Sequence, residues 1–193
     1  MRAVVVALVM LVALAGCDGD EPPDEASVSG VAVTTVAVTT VAVTPVASAT
    51  ATGTPTGFER VAATAVTADG TVCELCLWLA DTADLRRRGL MGVTDLGEAD
   101  GMVFRYLSPT STGFWMKDTL LPLSVAFYSA GGSYLGERDM HPCTADPCPT
   151  YTIDRSFALA VETTLGGLAT LGLTAGSTLT LHDRACPASE AGV

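Results

Sequence analysis

Apolar and polar residues alternate in short segments between Phe58 and Cys186, and turn-forming residues separate these segments. Alternation with a period of two residues is typical of strands with one buried face. The pattern predicts strands at residues 60–67, 71–80, 101–106, 113–117, 123–129, 133–139, 157–163 and 177–183. The turn Ala130-Gly131-Gly132 predicts a hairpin between the fifth and sixth of these strands.

Two short helices are predicted between the strands. Thr82 can cap a helix over residues 83–89, and residues 165–171 form the second candidate. A domain of about 130 residues buries roughly two thirds of the surface of its unfolded chain, which is enough for one core. The sequence therefore predicts an α+β domain: a compact, mostly antiparallel β barrel or sandwich with two short helices.

Residues 1–16 have a different pattern, in which an apolar run follows a basic start. Arg2 precedes the apolar residues 3–13, and Leu14-Ala15-Gly16 leads directly to Cys17. This arrangement resembles the lipobox family of bacterial lipoprotein signal peptides, which implies cleavage before Cys17 and lipidation of its sulfur. An ordinary secretory signal with an incidental cysteine is the alternative. The apolar run is shorter than the about 20 residues that a membrane-spanning helix requires.

A tether is predicted between the lipid anchor and the domain. The string Val-Ala-Val-Thr occurs three times from Val31, and Pro45, Pro55 and an Ala/Thr/Gly run follow. This composition favours a disordered linker that could carry sugars on its threonines, although Val and Thr also form strands readily. The predicted organisation is a signal peptide at residues 1–16, a tether at 17–57, a domain at 58–186 and a tail at 187–193.

The chain is acidic, with 10 Lys and Arg residues, 21 Asp and Glu residues and a formal net charge of −11. Net repulsion from phosphate argues against nucleic-acid binding. No glycine-rich phosphate loop, zinc-protease helix motif or nucleophile elbow occurs in the sequence. We therefore expect no cofactor, no metal and no nucleic-acid partner. The expected partners are the lipid bilayer, through lipidated Cys17, and a ligand or protein of the cell envelope.

Several strings of the predicted domain occur in an informative order. They are Ala80-Asp81-Thr82, Arg86-Arg87-Arg88-Gly89-Leu90-Met91, Gly101-Met102-Val103-Phe104, Phe114-Trp115-Met116-Lys117-Asp118-Thr119, Pro122-Leu123, Ala126-Phe127, Met140, Val161-Glu162 and Gly176-Ser177. Together they resemble the bacterial and archaeal domain-of-unknown-function family 192 over nearly the whole predicted domain. The resemblance implies a small, mainly β domain, often exported, with no established activity. Members often have Asn where this chain has Asp118, and an acidic residue there would alter any anion-binding site.

The cysteines beyond Cys17 would lie in an oxidising compartment, where disulfides persist. Cys143 and Cys148 bracket a proline-rich loop, and a disulfide between them is the favoured pairing. A zinc site that adds His141 to these two thiols is the alternative, but it lacks a fourth ligand.

The Cys73-Glu74-Leu75-Cys76 string has the spacing of a thioredoxin-like redox motif but lies in an alternating segment. Side chains three residues apart in a strand face opposite sides, so these two cysteines cannot bond to each other. An antiparallel closing strand would bring Cys186 near the start of the segment. We therefore expect Cys73 to pair with Cys186 and Cys76 to remain free.

Lys117 is the single lysine of the chain, and it follows an aromatic pair. In a strand, Trp115 and Lys117 would share one face and could form the floor of a pocket for a carboxylate, a phosphate or a sugar. Alternatively, the ring lies in the core and the lysine stem covers it.

The run Arg86–Arg88 is either a solvated face or a source of ion pairs, with Asp81, Asp139 and Glu162 as possible partners. The residues predicted to bind a small polar ligand or an envelope partner are Arg86, Trp115, Lys117, Asp118 and Asp139. The second hypothesis is an envelope hydrolase that uses Asp139, His141 or Glu162. The third is a structural or assembly factor that presents a broad apolar patch.

Overall fold

The computed structural model describes residues 53–186. The predicted signal peptide, Cys17, most of the predicted tether and the predicted tail lie outside the described residues. Within residues 53–186, no helix has the length and apolar character needed to cross a membrane.

Nine strands and two short helices form within the described part of the chain. The strands are β1 (Glu59–Val66), β2 (Val72–Ala80), β3 (Gly101–Thr110), β4 (Phe114–Trp115), β5 (Leu123–Tyr128), β6 (Tyr134–Met140), β7 (Thr150–Tyr151), β8 (Phe157–Thr164) and β9 (Thr178–Leu181). The helices are α1 (Ala83–Arg88) and α2 (Gly167–Thr170). Seven strands form one sheet in the order β6-β5-β8-β3-β2-β1-β9, and β4 pairs with β7.

All neighbouring strands run antiparallel except β2 and β3, which are parallel and are joined through α1. This architecture confirms the predicted α+β class with a mostly antiparallel sheet and two short helices. The hairpin of β5 and β6 also forms where the Ala-Gly-Gly turn predicts it.

The two edges of the sheet approach each other at one end without closing a barrel. One isolated bridge joins Ser133 to Thr178, and the Leu179 amide donates to the Gly132 carbonyl at 2.8 Å. A Cβ atom at Gly132 would lie 2.2 Å from the Leu179 carbonyl oxygen, so this approach requires glycine. In the described residues β6 and β9 do not pair along their length, and the sheet therefore remains open.

Alternating side chains give the sheet two faces, and both are covered. The face named here the α2 face is packed around Leu77, Val103 and Val161 and is covered by Leu168 of α2. Successive side chains of a strand point to opposite sides, so Met102 and Phe104, which flank Val103 in β3, lie on the other face. This second face, named the α1 face, is a separate apolar cluster.

The α1 face is covered by irregular segments and not by a long helix. Leu90, Val93 and Leu96 follow α1 and pack on the sheet, and Phe114 of β4 packs beside them. α1 itself has six residues and none of them is buried. Cover of this kind leaves room between the elements, and the main candidate site lies there.

Several element boundaries differ from the sequence predictions by one to four residues. The predicted strand at residues 113–117 is limited to β4, because residues 117–118 form a turn in which Asp118 has a φ of 53°. β3 continues to Thr110 after a bulge, and the second helix is reduced to α2. β7 was not predicted, since two residues carry no detectable alternation.

The structure bonds Cys143 to Cys148, with a Cα–Cα distance of 5.6 Å. Cys186 is bonded to Cys76 at a Cα–Cα distance of 5.5 Å, so the predicted pairing of Cys186 with Cys73 and the prediction of a free Cys76 are wrong. The reason is that β9 pairs with β1 and not with β2.

After β9 the chain runs toward the start of β1, which lies opposite the end of β2. Ala62 is the cross-strand partner of Cys76. Its carbonyl oxygen accepts the His182 amide, and its own amide donates to the Arg184 carbonyl oxygen. The segment that carries Cys186 is thereby held beside Cys76. Cys73 lies instead in the buried cluster of the α2 face.

Candidate functional site

A cavity of about 390 Å³ opens on the α1 face. Its walls come from α1 and the turn after it, from β3, from the segment of β4, and from β8. The lining residues are Ala83, Arg86, Arg87, Arg88, Gly89, Leu90, Met91, Phe104, Tyr106, Thr110, Thr112, Gly113, Phe114, Trp115, Thr119 and Glu162. A cavity of this volume matches the small-molecule sites of proteins. We call it the Arg86–Glu162 pocket.

Local sequence explains why α1 ends at the pocket. The Thr82 hydroxyl accepts the Leu85 amide at 3.2 Å and caps the start of the helix. Gly89 ends it with a φ of 46°, and its amide donates to the Leu85 carbonyl at 2.8 Å. A Cβ atom at Gly89 would lie 3.2 Å from the Phe104 ring, so glycine also allows the helix end to pack on β3.

The three arginines of α1 are each held by a different contact. Arg86 donates through Nη1 to the carbonyl oxygens of Asp81 at 2.5 Å and Arg105 at 3.0 Å. Arg87 forms an ion pair with Asp84 at 2.7 Å, and the Arg88 guanidinium lies 4.3 Å from the centre of the Phe58 ring. Arg87 and Arg88 are exposed, so they mark the solvent end of the pocket.

Aromatic rings form much of the wall. Phe104 and Phe114 pack edge to face with centroids 5.0 Å apart. The Arg86 guanidinium lies 4.7 Å from the centre of the Tyr106 ring. Trp115 keeps 48% of its surface exposed, which leaves its ring available to a ligand at the opening.

Glu162 forms the closed end of the pocket. It lies in β8 between Met102 of β3 and Val125 of β5, and it is only 4% exposed. Within residues 53–186, no hydrogen bond or ion pair reaches its carboxyl group. Burial raises the pKa of Glu162 to about 8, so the carboxyl group is mostly protonated at neutral pH.

Tyr106 lines the pocket together with Arg86 and Glu162. Desolvation raises the pKa of its hydroxyl, the positive charge of Arg86 opposes that shift, and Glu162 adds to it. Arg86 and Glu162 therefore both influence the same phenol, in opposite directions.

The structure separates the predicted binding residues. Arg86 and Trp115 line the Arg86–Glu162 pocket, whereas Lys117 and Asp118 line a different cavity of about 150 Å³ beside the Cys143–Cys148 loop. The predicted strand face shared by Trp115 and Lys117 does not exist, because β4 ends at Trp115. The Lys117 ammonium lies 5.9 Å from the centre of the Trp115 ring and 3.6 Å from Asp146 Oδ2.

The backbone conformation of Asp118 explains why family members often have Asn at this position. Its φ of 53° lies in the left-handed region, which Asn and Asp tolerate better than other residues with a side chain. Its carbonyl oxygen accepts the Gly92 amide at 2.8 Å and connects this turn to the segment after α1. The side chain is not part of the Arg86–Glu162 pocket, so its charge does not alter that site directly.

The structure does not bring Asp139, His141 and Glu162 together. Asp139 lies opposite Ser124, in the row next to the one that contains Val125 and Glu162. Adjacent rows point to opposite faces of a sheet, so Asp139 and Glu162 point away from each other. His141 is exposed, and the contact found for it is a bond from its amide to the Tyr151 hydroxyl at 3.4 Å.

Asp139 is satisfied within the fold. The Ser124 hydroxyl donates to its carboxylate at 2.5 Å and accepts the Gly166 amide at 2.9 Å. A metal site is also not formed: residues 53–186 contain no group of three or more His, Cys, Asp or Glu side chains that could hold an ion. The thiols of Cys143 and Cys148 are consumed by their disulfide.

A cavity of about 620 Å³ lies at the start of β1, where Arg60, Arg105 and Arg184 contribute to its lining. Arg60 pairs with Glu98 at 3.2 Å, and Arg105 pairs with Asp81 at 2.9 Å. Two of its three arginines are thus neutralised inside the protein. The smaller Arg86–Glu162 pocket is the better candidate, because its acid has no such partner.

Sequence reasoning missed Phe104, Tyr106 and Thr119 as pocket residues, and it assigned Glu162 to the hydrolase hypothesis or to an ion pair with the arginine run and not to the binding site. A signal was available. The strings Arg86–Met91, Gly101–Phe104, Phe114–Thr119 and Val161–Glu162 carry the family resemblance, and each supplies residues to the pocket. These strings are far apart in sequence, so only their convergence in the fold shows that they form one site.

Comparison with known proteins supports the fold and the family. No curated protein matches the chain. A proposed transcription regulator from Sinorhizobium meliloti 1021 has a similar structure, with 23% identity, a TM-score of 0.59, and coverage of 66% of this chain and 97% of that chain. A protein of unknown function from Novosphingobium aromaticivorans has 25% identity, a TM-score of 0.56, and coverage of 69% and 94%.

The family comparison is more specific than the structural one. The DUF192 family, described as an uncharacterized ACR, matches residues 64–181, from within β1 to the end of β9. The match therefore includes every strand of the sheet and all residues of the Arg86–Glu162 pocket. The chain belongs to the domain-of-unknown-function family 192.

Proposed function

We propose that the protein is a binding module for a small polar ligand with an anionic group, and that the Arg86–Glu162 pocket is its site. The pocket itself is the observation that carries this proposal: it combines exposed arginines, aromatic walls and a buried polar end. Three of the 10 basic residues of an acidic chain follow one another at this opening. Their local positive potential would attract an anion despite the net charge of −11.

Lipid anchoring outside the cytoplasm is a second part of the proposal. The lipobox-like residues before Cys17 support it, and so do the Cys76–Cys186 and Cys143–Cys148 disulfides, which persist in oxidising compartments. Two acyl chains on Cys17 would hold the chain at the membrane, since one chain alone binds marginally. The ligand would then come from the cell envelope or its surroundings.

Calorimetric titration with small carboxylates, phosphates, acidic sugars and peptidoglycan fragments tests the binding site. We expect at least one acidic compound to bind, and Trp115→Ala to weaken it by about tenfold through loss of ring contact. Lys117→Ala is the matched control, because Lys117 lies near the Trp115 ring but lines the other cavity. Equal affinities of wild type and Trp115→Ala would remove the site.

Membrane fractionation tests the anchor independently. The full-length chain should partition with membranes and incorporate labelled fatty acid, and Cys17→Ala should abolish both. Fractionation of the wild-type chain with soluble proteins, without label, would refute lipid anchoring and leave the binding proposal to the titrations.

A further inference from the structure

The carboxyl group of Glu162 opens into a pocket in which every described cation is engaged elsewhere. The charged and titratable groups that face it are the arginines of α1 and the Tyr106 hydroxyl of β3; the lining residues of β4 are uncharged. Arg86 donates to two carbonyl oxygens, Arg87 pairs with Asp84, and Arg88 lies on Phe58. The protein itself therefore provides no neutralising partner for Glu162 within the described residues.

Burial disfavours the charged form of an acid unless a partner offsets the lost hydration. In residues 53–186 no fully buried side-chain nitrogen or oxygen lacks a hydrogen-bond partner, so the carboxyl oxygens of Glu162, which have no protein partner, keep contact with the pocket space. Glu162 is 96% buried, being 4% exposed, and the pocket is the space its carboxyl group faces. A ligand that enters the pocket can replace solvent there and supply a partner that the protein does not. Ammonium groups are strong partners for carboxylates, since the hydrogen bond is charge-assisted.

The pocket also has polarity along its length. Glu162 is at the closed end, and the exposed Arg87 and Arg88 are at the solvent end. A ligand that satisfies both ends must carry opposite charges on its two ends, and the rings of Phe114 and Trp115 favour an apolar or planar middle.

We infer that the pocket binds an amphoteric small molecule, whose ammonium group pairs with the Glu162 carboxylate while its anionic group meets the arginines of α1. This inference rests on the proposed function and specifies its ligand class. Amino acids and amino sugar acids are examples of this chemistry. No described residue other than Glu162 offers an anion inside the pocket.

Binding of an ammonium group has a defined proton balance. In the free protein at neutral pH the Glu162 carboxyl group holds a proton, because burial raises its pKa to about 8. When the ligand ammonium binds, the carboxyl O–H bond breaks, the proton passes to the buffer, and the carboxylate pairs with the unchanged ammonium. About one proton is therefore released for each ligand bound at pH 7.

Three probes with the same ring and carboxylate test this inference: para-aminomethylbenzoate, para-hydroxymethylbenzoate and para-methylbenzoate. We expect the aminomethyl compound to bind at least about tenfold more tightly than the methyl compound at pH 7. The hydroxymethyl compound should fall between them. Calorimetry in two buffers of different ionisation enthalpy should show proton release for the aminomethyl compound alone.

Two variants assign the effect to Glu162. Glu162→Gln preserves the shape, and Glu162→Met removes the polar group altogether; both should abolish proton release and reduce the amine preference to about twofold or less. Asp139→Asn is the matched control, because Asp139 is an acid in the neighbouring row on the opposite face. Thermal unfolding of each variant shows whether it is folded.

The results separate this inference from the proposed function. If all three probes bind equally and Glu162→Gln changes nothing, the pocket binds anions but the amphoteric ligand class is wrong. If the hydroxymethyl compound equals the aminomethyl compound without proton release, Glu162 acts as a neutral hydrogen-bonding group and the inference also fails. If acidic compounds, including these probes, do not bind at all, the proposed function fails as well.

Discussion

The two faces of the central sheet treat their buried polar groups differently. On the α2 face, the Tyr128 hydroxyl meets the Ser177 hydroxyl at 3.1 Å, and Ser124 bonds both Asp139 and Gly166. On the α1 face, Glu162 is equally deep but has no partner in residues 53–186, and a cavity lies beside it. The polar groups named on the α2 face are thus bonded within the protein, whereas the Glu162 carboxyl group faces a cavity.

This difference indicates that the buried polar groups of the α1 face contribute less to the stability of the fold than those of the α2 face do. A fold gains when its cavities are filled and its buried acids have protein partners, so a cavity that holds an acid without such a partner is typical of a site that is completed by a ligand. The same strands build both faces, which means that the contrast arises from the covering segments. α2 covers its face with a buried leucine, whereas α1 covers the other with exposed arginines.

The largest expected effect on stability concerns the Cys76–Cys186 disulfide. The Cys76 side chain points away from the α2 face. Replacing Cys76 and Cys186 together with serine should lower the free energy of unfolding by about 5 kcal/mol, because the residues are 110 apart in sequence. The matched replacement of Cys143 and Cys148, which are 5 apart, should cost about 2 kcal/mol. Urea unfolding measures both, and equal losses would contradict the pairing described here.

The pH dependence of stability should reveal the unpartnered acid. Between pH 4.5 and about pH 8 the folded chain retains the Glu162 proton that the unfolded chain releases. The free energy of unfolding should therefore fall as the pH rises through this window, by an amount on the order of a few kcal/mol. Urea unfolding at both ends of the window measures it. The slope should flatten in Glu162→Gln, and an unchanged slope would assign the dependence to other groups.

Substitution of one acid on each face should give opposite results. Glu162→Met replaces a largely desolvated acid that has no protein partner with an apolar side chain of similar volume, so it should raise the free energy of unfolding at pH 7 by about 1–3 kcal/mol. Asp139→Ala removes the acceptor of the Ser124 hydroxyl and should lower it by about 1 kcal/mol. Chemical unfolding of both variants tests the contrast, which is lost if both changes have the same sign.

The smallest effect is expected at the single lysine. Lys117 is 40% exposed and its ammonium lies 3.6 Å from the Asp146 carboxylate, which is 74% exposed. Exposed ion pairs contribute little, so Lys117→Ala should change the free energy of unfolding by less than about 1 kcal/mol. A larger loss in thermal or urea unfolding would show that the small cavity beside the Cys143–Cys148 loop has a structural role.

Much of the sheet could be predicted because alternation reports directly on which side chains are buried. The strand at residues 113–117 was overextended, since Trp115 and Lys117 keep the alternating pattern while Asp118 leaves the β region. β7 escaped detection because it contains two residues. The pairing of Cys186 depends on which strand β9 joins. The alternation of apolar and polar residues within one segment does not predict strand order.

Only part of the candidate site could be predicted from the sequence. Arg86 and Trp115 were identified as polar and aromatic side chains suited to binding. Lys117, Asp118 and Asp139 were selected on the same ground of a charged side chain, but they lie elsewhere. Glu162 lies within the largely apolar strand β8, and nothing in that strand indicates whether its carboxyl group meets a cation, a hydroxyl or a cavity. That answer depends on residues from other elements.

The sequence by itself determined most of the strands, the presence of two short helices and the family, because these depend on local patterns of burial, turn residues and strings of side chains. Only the tertiary structure decided which cysteine Cys186 joins, which candidates meet, and which acid is left without a partner. The physical reason is that a side chain's surroundings come from strands distant in sequence. Register and strand order, acting together over the whole sheet, select those neighbours.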